Sequence, residues 1–477
     1  MLFNSFDFAI FLPIVFLLYW YGTKGKVSYQ NILIVAASYI FYGWWDWRFL
    51  SLMLISTCVD YFIALAIAKQ ESQKSKKSLL LLSILVNIGM LGFFKYFNFF
   101  TDNFIEAFSF FGYQFEPLSI SIVLPVGISF YTFQTLSYTI DVYRGKLPPT
   151  KNFIAFAAFV SFFPQLVAGP IERATNLLPQ FLAKRKINPE QVALGLRQIV
   201  WGLFKKIVVA DNCARYANEI FNNYENYNSL TLGLGAIAFA FQIYGDFSGY
   251  SDIAIGTSRL FNFQLMRNFN YPYFSRDIAE FWRRWHISLS TWFRDYVYIP
   301  LGGSKVSKAK VIRNIFIIFL VSGFWHGANW TFIFWGLLNA LFFLPLIISN
   351  RNRKHLGIIA ENNVFPKVKH LLGMLLTFSL TTFAWIFFRA NTISEAIHYI
   401  QKILHFDLSI ERINMNRFPF EFIPIVLLLI VLEWYARKQE FPLYKKSKYH
   451  VKTFAICVLI LLLGSFSNIE DFIYFQF

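Results

Sequence analysis

Uncharged apolar runs recur along this chain at the length a helix needs to cross roughly 30 Å of hydrocarbon, about 18–20 residues. A chain built this way has little choice of solvent. Composition points the same way where it bears on the question: 56% of the 477 residues are hydrophobic and only 15% are charged. A soluble domain carries roughly 25% charged residues. Disorder, collagen-like repeats and a disulfide-rich secreted scaffold are excluded. The reading is an all-α polytopic membrane protein, a single integral-membrane domain over residues 1–477 without internal repeats or low-complexity linkers.

Twelve crossings are expected, at about 7–22, 30–45, 50–68, 78–97, 120–140, 192–212, 228–245, 311–325, 328–348, 371–389, 420–436 and 453–469. The formal charge of +17 would suggest nucleic acid in a soluble protein. Here the positive-inside rule explains it. Alternate loops, at 23–29, 68–77, 141–151, 171–191, 349–370 and 437–452, hold 24 Lys and Arg against 6 Asp and Glu. The intervening loops and the tail 470–477 hold 5 basic residues against 11 acidic ones. The first set is assigned to the cytoplasm and both termini to the outside of a bacterial cytoplasmic membrane. No nucleic-acid partner is expected; the first partner is the lipid bilayer.

The N-terminal run opens Met1-Leu2-Phe3-Asn4 without a basic region or a small-residue cleavage site before Lys24, so it reads as a retained span. Cys58, Cys213 and Cys457 form no CxxC pair and no His/Cys cluster. Neither a disulfide framework nor a metal site is indicated.

Two stretches break the pattern of plain spans. Residues 153–170 are apolar but end Phe163-Pro164-Gln165-Leu166-Val167-Ala168-Gly169-Pro170, with cytoplasmic charge on both flanks. A re-entrant segment and an ordinary helix end stopped by proline fit equally well. The other is the polar middle, 246–310. It opens Asp246-Phe247-Ser248-Gly249-Tyr250-Ser251-Asp252 and continues from Arg276 to Tyr296. There Trp282, Trp285, Leu289, Trp292 and Tyr296 fall at the spacing of one helix face. Arg283, Arg284 and Arg294 lie off that stripe, which suits an amphipathic helix at the membrane–water interface. Such a helix does not explain His286, one position away from the stripe. A turn signal, Pro300-Leu301-Gly302-Gly303, ends the run.

The most unusual feature follows. After Arg313, no Lys, Arg, Asp or Glu occurs until beyond Asn350, yet His326 sits in the middle, within Ser322-Gly323-Phe324-Trp325-His326-Gly327-Ala328-Asn329-Trp330. An ionisable side chain inside a membrane is costly and marks a functional position by default. Flanking glycines permit a tight helical turn or close approach of a ligand. His355, His370, His398, His405 and His450 lie in loops or near polar ends and carry no such expectation.

Arg276–Tyr296 with Ile299-Pro300-Leu301-Gly302-Gly303, followed by Gly323-Phe324-Trp325-His326-Gly327, resembles the membrane-bound O-acyltransferase (MBOAT) family. Met1–Ser5, Phe163–Pro170 and Asp246–Asp252 are similar to its bacterial alginate O-acetylation branch. The resemblance spans nearly the whole chain and is firmest over about 120–345, the expected catalytic middle. It implies an MBOAT-like fold, His326 as the catalytic histidine, and His286 at the position where the family carries His or Asn. Phe324 stands where Leu is common.

The resemblance implies acyl transfer, with acetyl as the expected group and acetyl-CoA as the acyl donor, a substrate rather than a bound cofactor. The acceptor is expected to be an exported polysaccharide, reached directly or through a periplasmic or extracellular partner. A neutral imidazole suits the chemistry, because its pKa lies near operating pH and it can take a hydroxyl proton and return one to a leaving group. Trp325, Arg283, Arg284, Arg294 and Asp246 are carried as candidate contacts to substrate or donor, although the arginines suit CoA phosphates and lipid head groups equally. His286, on a cytoplasmic-side segment, and His326, near the far end of its span, are expected to mark opposite ends of one passage. Teichoic acid D-alanylation is the alternative within the family. A polysaccharide or lipid transporter is the alternative outside it, although the repeats and paired intramembrane charges of such proteins are missing from this sequence.

Overall fold

The computed structural model describes residues 1–113, 122–410, 412–413, 417–445, 449–466 and 472–473. Among these residues the regular structure is helical, and the single β-type pairing is an isolated bridge between Ile413 and Arg417. Six helical stretches have the length and apolarity of a membrane crossing: Val27–Lys69, Gln73–Phe110, Ser229–Leu260, Lys308–His326, Trp330–Ile348 and Val368–Arg389. Three shorter apolar helices, Phe6–Gly22, Ile423–Ala436 and Tyr449–Leu463, fall below that length. The protein is a polytopic helical membrane protein.

Several expected crossings look different in three dimensions. Those at 30–45 and 50–68 are two helices, Val27–Asp46 and Leu50–Lys69, joined by the short turn Trp47–Phe49. At that turn the Asp46 carboxylate accepts a hydrogen bond from the Arg48 backbone N–H at 2.9 Å. The crossing expected at 120–140 begins at residues outside the described set and continues as Ile128–Tyr143. The one expected at 192–212 is the helix Pro189–Leu203 running into a π-helical turn, Phe204–Ala210, in which every residue is buried.

By its internal contacts the chain divides into two compact units, residues 1–193 with 257–266 and residues 194–256 with 267–477. In the first unit, Leu50–Lys69 packs on Gln73–Leu91 and Ile128–Tyr143. Asp60 is fully buried between them, and a buried carboxylate needs donors. It receives hydrogen bonds from the Ser83 hydroxyl, from Thr139 Oγ1 at 2.7 Å and from Asn87 Nδ2 at 2.7 Å. The proline-bracketed segment forms two helices, Phe153–Ser161 and Phe163–Leu166. The longer of them rises only about 14 Å, so neither crosses. The carbonyl of Phe159, which loses its helical partner at the break, accepts from the side-chain amides of Gln134 and Gln165 at 2.6 and 3.2 Å. Irregular backbone of this kind is stable at depth when protein groups satisfy it. The strap 257–266 is tied down by Glu172, whose carboxylate accepts from the Met266 backbone N–H and from Asn176 Nδ2. Burial pushes the Glu172 carboxyl up to about 7, although Asn176, Met266 and Arg173 favour its ionised form.

In the second unit, Lys308–His326 and Trp330–Ile348 form a closely packed hairpin, against which Val368–Arg389 lies. Glycine sets how near the first two come. A Cβ on Gly323 would run into the Phe332 carbonyl oxygen, and one on Gly336 into that of Phe319. At the turn, Asn329 Oδ1 caps the second helix by accepting from Thr331 N at 3.0 Å. The π-helical turn points two lysines inward. Lys205 pairs with Asp252 at 2.6 Å, and Lys206 pairs with Asp211 at 2.8 Å and Asp246 at 3.0 Å. Buried charges of this density persist only as pairs.

Candidate active site

The polar middle does not form one amphipathic helix. Asp277 caps Ile278–Arg284 by accepting from Glu280 N at 2.7 Å, and that helix ends as Trp285 turns extended. His286 then adopts a left-handed backbone, φ +42°, before Ile287–Phe293 begins. The break is held by the preceding segment. Asn270 N–H donates to the Arg284 carbonyl at 2.9 Å, Ile287 N–H donates to the Asn268 carbonyl at 2.9 Å, and Ser288 N–H donates to Asn268 Oδ1 at 3.2 Å. The aromatic stripe is also not an interfacial belt: Trp285, Leu289 and Trp292 are buried inside the protein. The spacing that reads as one helix face is divided between two helices, because tertiary hydrogen bonds replace the helix backbone at its midpoint.

The consequence is that His286 turns inward. Its ring meets Phe247 at 4.6 Å, edge to face, and Phe269 at 6.4 Å, stacked. It is almost wholly buried, and burial pushes its pKa down to about 3, which keeps it neutral at physiological pH. The Trp325 ring lies 6.2 Å from this ring and 4.9 Å from the ring of His326. The two histidines therefore share one tryptophan as a neighbour instead of marking opposite ends of a passage. His326 is the last residue of its helix, buried, with Trp335 at 5.1 Å and Phe388 at 5.3 Å, both edge to face. Trp385 closes the cluster, stacked on Trp335 at 5.6 Å and 5.1 Å from Trp285.

Beside this cluster is a cavity of about 610 Å³, within the size range of ligand pockets. Trp282, Leu289, Phe293, Ile315, Phe319 and Phe343 give it apolar walls, and Arg283, Arg294, Lys308 and Arg353 bring positive charge to it. Ser322, one helical turn before His326, also lines it. Trp282 connects the cavity wall to the cluster through Trp335, 5.7 Å away.

The candidate arginines separate into three roles. Arg284 is buried and bonded to Glu280 at 2.8 Å and to the Asn270 carbonyl at 3.1 Å, so it holds the fold together. Burial alone would raise the Glu280 carboxyl, but the hydrogen bond from Arg276 and the charge of Arg284 outweigh it and hold Glu280 below its ordinary value. Arg283 donates to the carbonyls of Asn352 and His355 at 2.8 and 2.9 Å and anchors that loop at the cavity. Arg294 is exposed, pairs with its neighbour Asp295 at 2.7 Å, and lines the cavity. Asp246 is drawn into the lysine pairs and accepts from Ile473 N–H at 2.7 Å. Among the described residues no three His, Cys, Asp or Glu side chains gather as a metal site requires.

Sequence reasoning missed Asn268, the His326 neighbours Trp335 and Phe388, and Trp385 behind them. The last three sit in apolar spans, where one more aromatic gives no contrast. Asn268 had a weak signal, an amide within the buried-side aromatic run Phe263–Phe274.

The model of the membrane-bound O-acyltransferase family matches residues 39–357, two thirds of the chain and both histidine segments. The chain belongs to this family. Among its curated relatives, the probable alginate O-acetylase AlgI of Pseudomonas aeruginosa is 40% identical over 456 residues, covering 94% of this chain and 84% of its own. A peptidoglycan O-acetyltransferase of Helicobacter pylori is 35% identical, covering 97% and 89%. A teichoic acid D-alanyltransferase of Streptococcus thermophilus is 30% identical but covers 55% of this chain and 68% of its own. The protein is an O-acyltransferase, and the transporter alternative is set aside.

Proposed function

We propose that the protein moves an acetyl group from a cytoplasmic donor of the acetyl-CoA type to hydroxyls of an exported polysaccharide, with His326 as general base and His286 as the second working imidazole. The observation that carries this reading is the meeting of two buried histidines on Trp325, beside a cavity with apolar walls and cationic groups. A thioester donor has the matching shape, an apolar arm joined to phosphates, and Arg294, Lys308 and Arg353 suit the phosphates as charge-assisted partners. In the transfer, the acceptor oxygen attacks the thioester carbonyl carbon. The new C–O bond forms as the C–S bond breaks. His326 takes the hydroxyl proton and delivers it to the departing sulfur. Trp325 neighbours both imidazoles.

A bacterial cytoplasmic membrane with about twelve crossings and both termini outside suits this role, since the donor is cytoplasmic and the polymer is exported. The acceptor enters directly or through a periplasmic or extracellular partner. The full-length relatives named for O-acetylation favour acetyl over D-alanyl transfer, because the D-alanyltransferase match covers about half of the chain.

The test is His326→Ala, purified and checked for thermal stability, with transfer measured from labelled acetyl-CoA in membranes. General-base catalysis is worth about 10²–10⁴ in rate, so transfer should fall to background in a stable variant. Wild-type transfer by that variant would defeat the assignment.

A further inference from the structure

We infer that Asn268 is the positioning residue of His286: its side-chain oxygen holds the proton on Nδ1 and leaves Nε2 as the nitrogen that works in the transfer. The inference rests on the placement of His286 in the site proposed above.

The amide orientation is fixed by its surroundings. Asn268 is fully buried. One end of its side chain is 3.2 Å from the Ser288 backbone N–H, which can only donate, and 2.9 Å from Ser288 Oγ. That end is the oxygen. The other end is 3.1 Å from Ser251 Oγ, where the amide N–H donates. His286 Nδ1 lies 3.1 Å from the same oxygen. An amide oxygen only accepts, so Nδ1 must carry hydrogen for this contact to be a bond. A neutral imidazole has one N–H, and the lone pair therefore resides on Nε2. The competing arrangement needs Ser288 Oγ to donate to Nδ1, but that pair is 3.5 Å apart and the hydroxyl has the closer acceptor in Asn268.

Asn268 also controls where the ring stands. Its backbone carbonyl takes the Ile287 N–H and its side chain takes the Ser288 N–H, and these two bonds fix the left-handed turn at His286. One residue thus sets the backbone, the ring direction and the tautomer. Partners that orient metal-ligating histidines typically contribute about 10–100-fold to activity, and the same order is expected for a partner that orients this ring.

The test reads the tautomer directly. The full chain is labelled with ¹⁵N-histidine in lipid nanodiscs, and His286 is assigned among the seven histidines by its loss in His286→Asn. The wild type should show a protonated Nδ1 and an unprotonated Nε2. Asn268→Ala should populate the Nε2–H form, with kcat down about 10–100-fold and KM for the donor unchanged. Asn268→Asp keeps the acceptor, and Ser251 can turn its hydroxyl to donate, so it should keep the Nδ1–H form and more activity than the alanine variant. An Nε2–H tautomer in the wild type overturns the inference, as does wild-type kcat in Asn268→Ala. If Asn268→Ala does not accumulate, the wild-type spectrum alone decides. An active His326→Ala enzyme would defeat the proposed function and leave the tautomer assignment standing, so the two failures are distinguishable.

Discussion

Protonating His286 should unfold this protein by a predictable amount. The ring is almost completely buried among Phe247, Phe269 and Trp325, and burial holds its pKa at about 3, against 6.5 for a free side chain. A histidine depressed in the folded state contributes stability that is whole above the unfolded value and is lost as pH falls toward the folded one. Between these limits the unfolded chain binds a proton that the folded chain refuses, and stability falls by about 1.4 kcal/mol per pH unit. From about pH 7 to about pH 4.5 the loss from this one residue accumulates to about 2.5 kcal/mol. The assay is reversible unfolding of the purified protein in bicelles at both pH values, wild type against His286→Asn. Asparagine has no proton to bind, and acid effects elsewhere in the protein cancel in the comparison. The wild type should lose about 2.5 kcal/mol more than the variant over this interval. Equal losses in the two proteins would refute the claim that His286 is held neutral by burial.

Glu172 predicts the opposite sign. Its folded value is raised to about 7 from 4.5, so its contribution is present below about pH 4.5 and is lost as pH rises through 7. Glu172→Gln should be more stable than wild type at about pH 8, by about 1–3 kcal/mol, and nearly equal to it at about pH 5, by the same unfolding assay. Gly323→Ala forces a Cβ against the Phe332 carbonyl and should destabilise the hairpin by about 1–3 kcal/mol, with a larger loss of transfer activity because His326 lies on the next turn; an unchanged melting temperature would contradict the close packing. Reporter fusions at 68–77 and 437–452 should report the cytoplasm and fusions at 98–119 the outside; a reversed pattern would overturn the charge-based orientation.

His326 was legible because the bilayer makes it so. In a long uncharged stretch an ionisable side chain stands out against a strong penalty, and no packing detail was needed to single it out. His286 was legible only as a misfit beside the aromatic stripe. The backbone break there was not, because spacings of three and four define a helix whether or not a distant carbonyl takes over one of its bonds. The residue responsible, Asn268, lies 18 positions upstream. Lys205 and Lys206 offered a signal that the crossing assignment overlooked. They fall within an apolar run at 199–210, and two lysines there require acidic partners, which Asp211, Asp246 and Asp252 supply.

The aromatic cluster explains why both histidines can be buried and still suit the proposed transfer. A donor thioester held near water is lost to hydrolysis, and a hydroxyl acceptor competes only where water is excluded. Phe247, Phe269 and Trp325 pack on the His286 ring, Trp325, Trp335 and Phe388 pack on the His326 ring, and Trp285 and Trp385 back this aromatic cluster. Around His286 such packing disfavours the imidazolium. Water exclusion and base neutrality are therefore two results of one arrangement, and weakening the cluster should compromise both together. A neutral His286 beside the site leaves the proton traffic of the proposed transfer to His326, which takes the acceptor proton and passes it to the sulfur as the C–S bond breaks. The polar contacts that the His286 ring still needs come from a neutral amide, Asn268, which orients it without adding a charge that would invite water back.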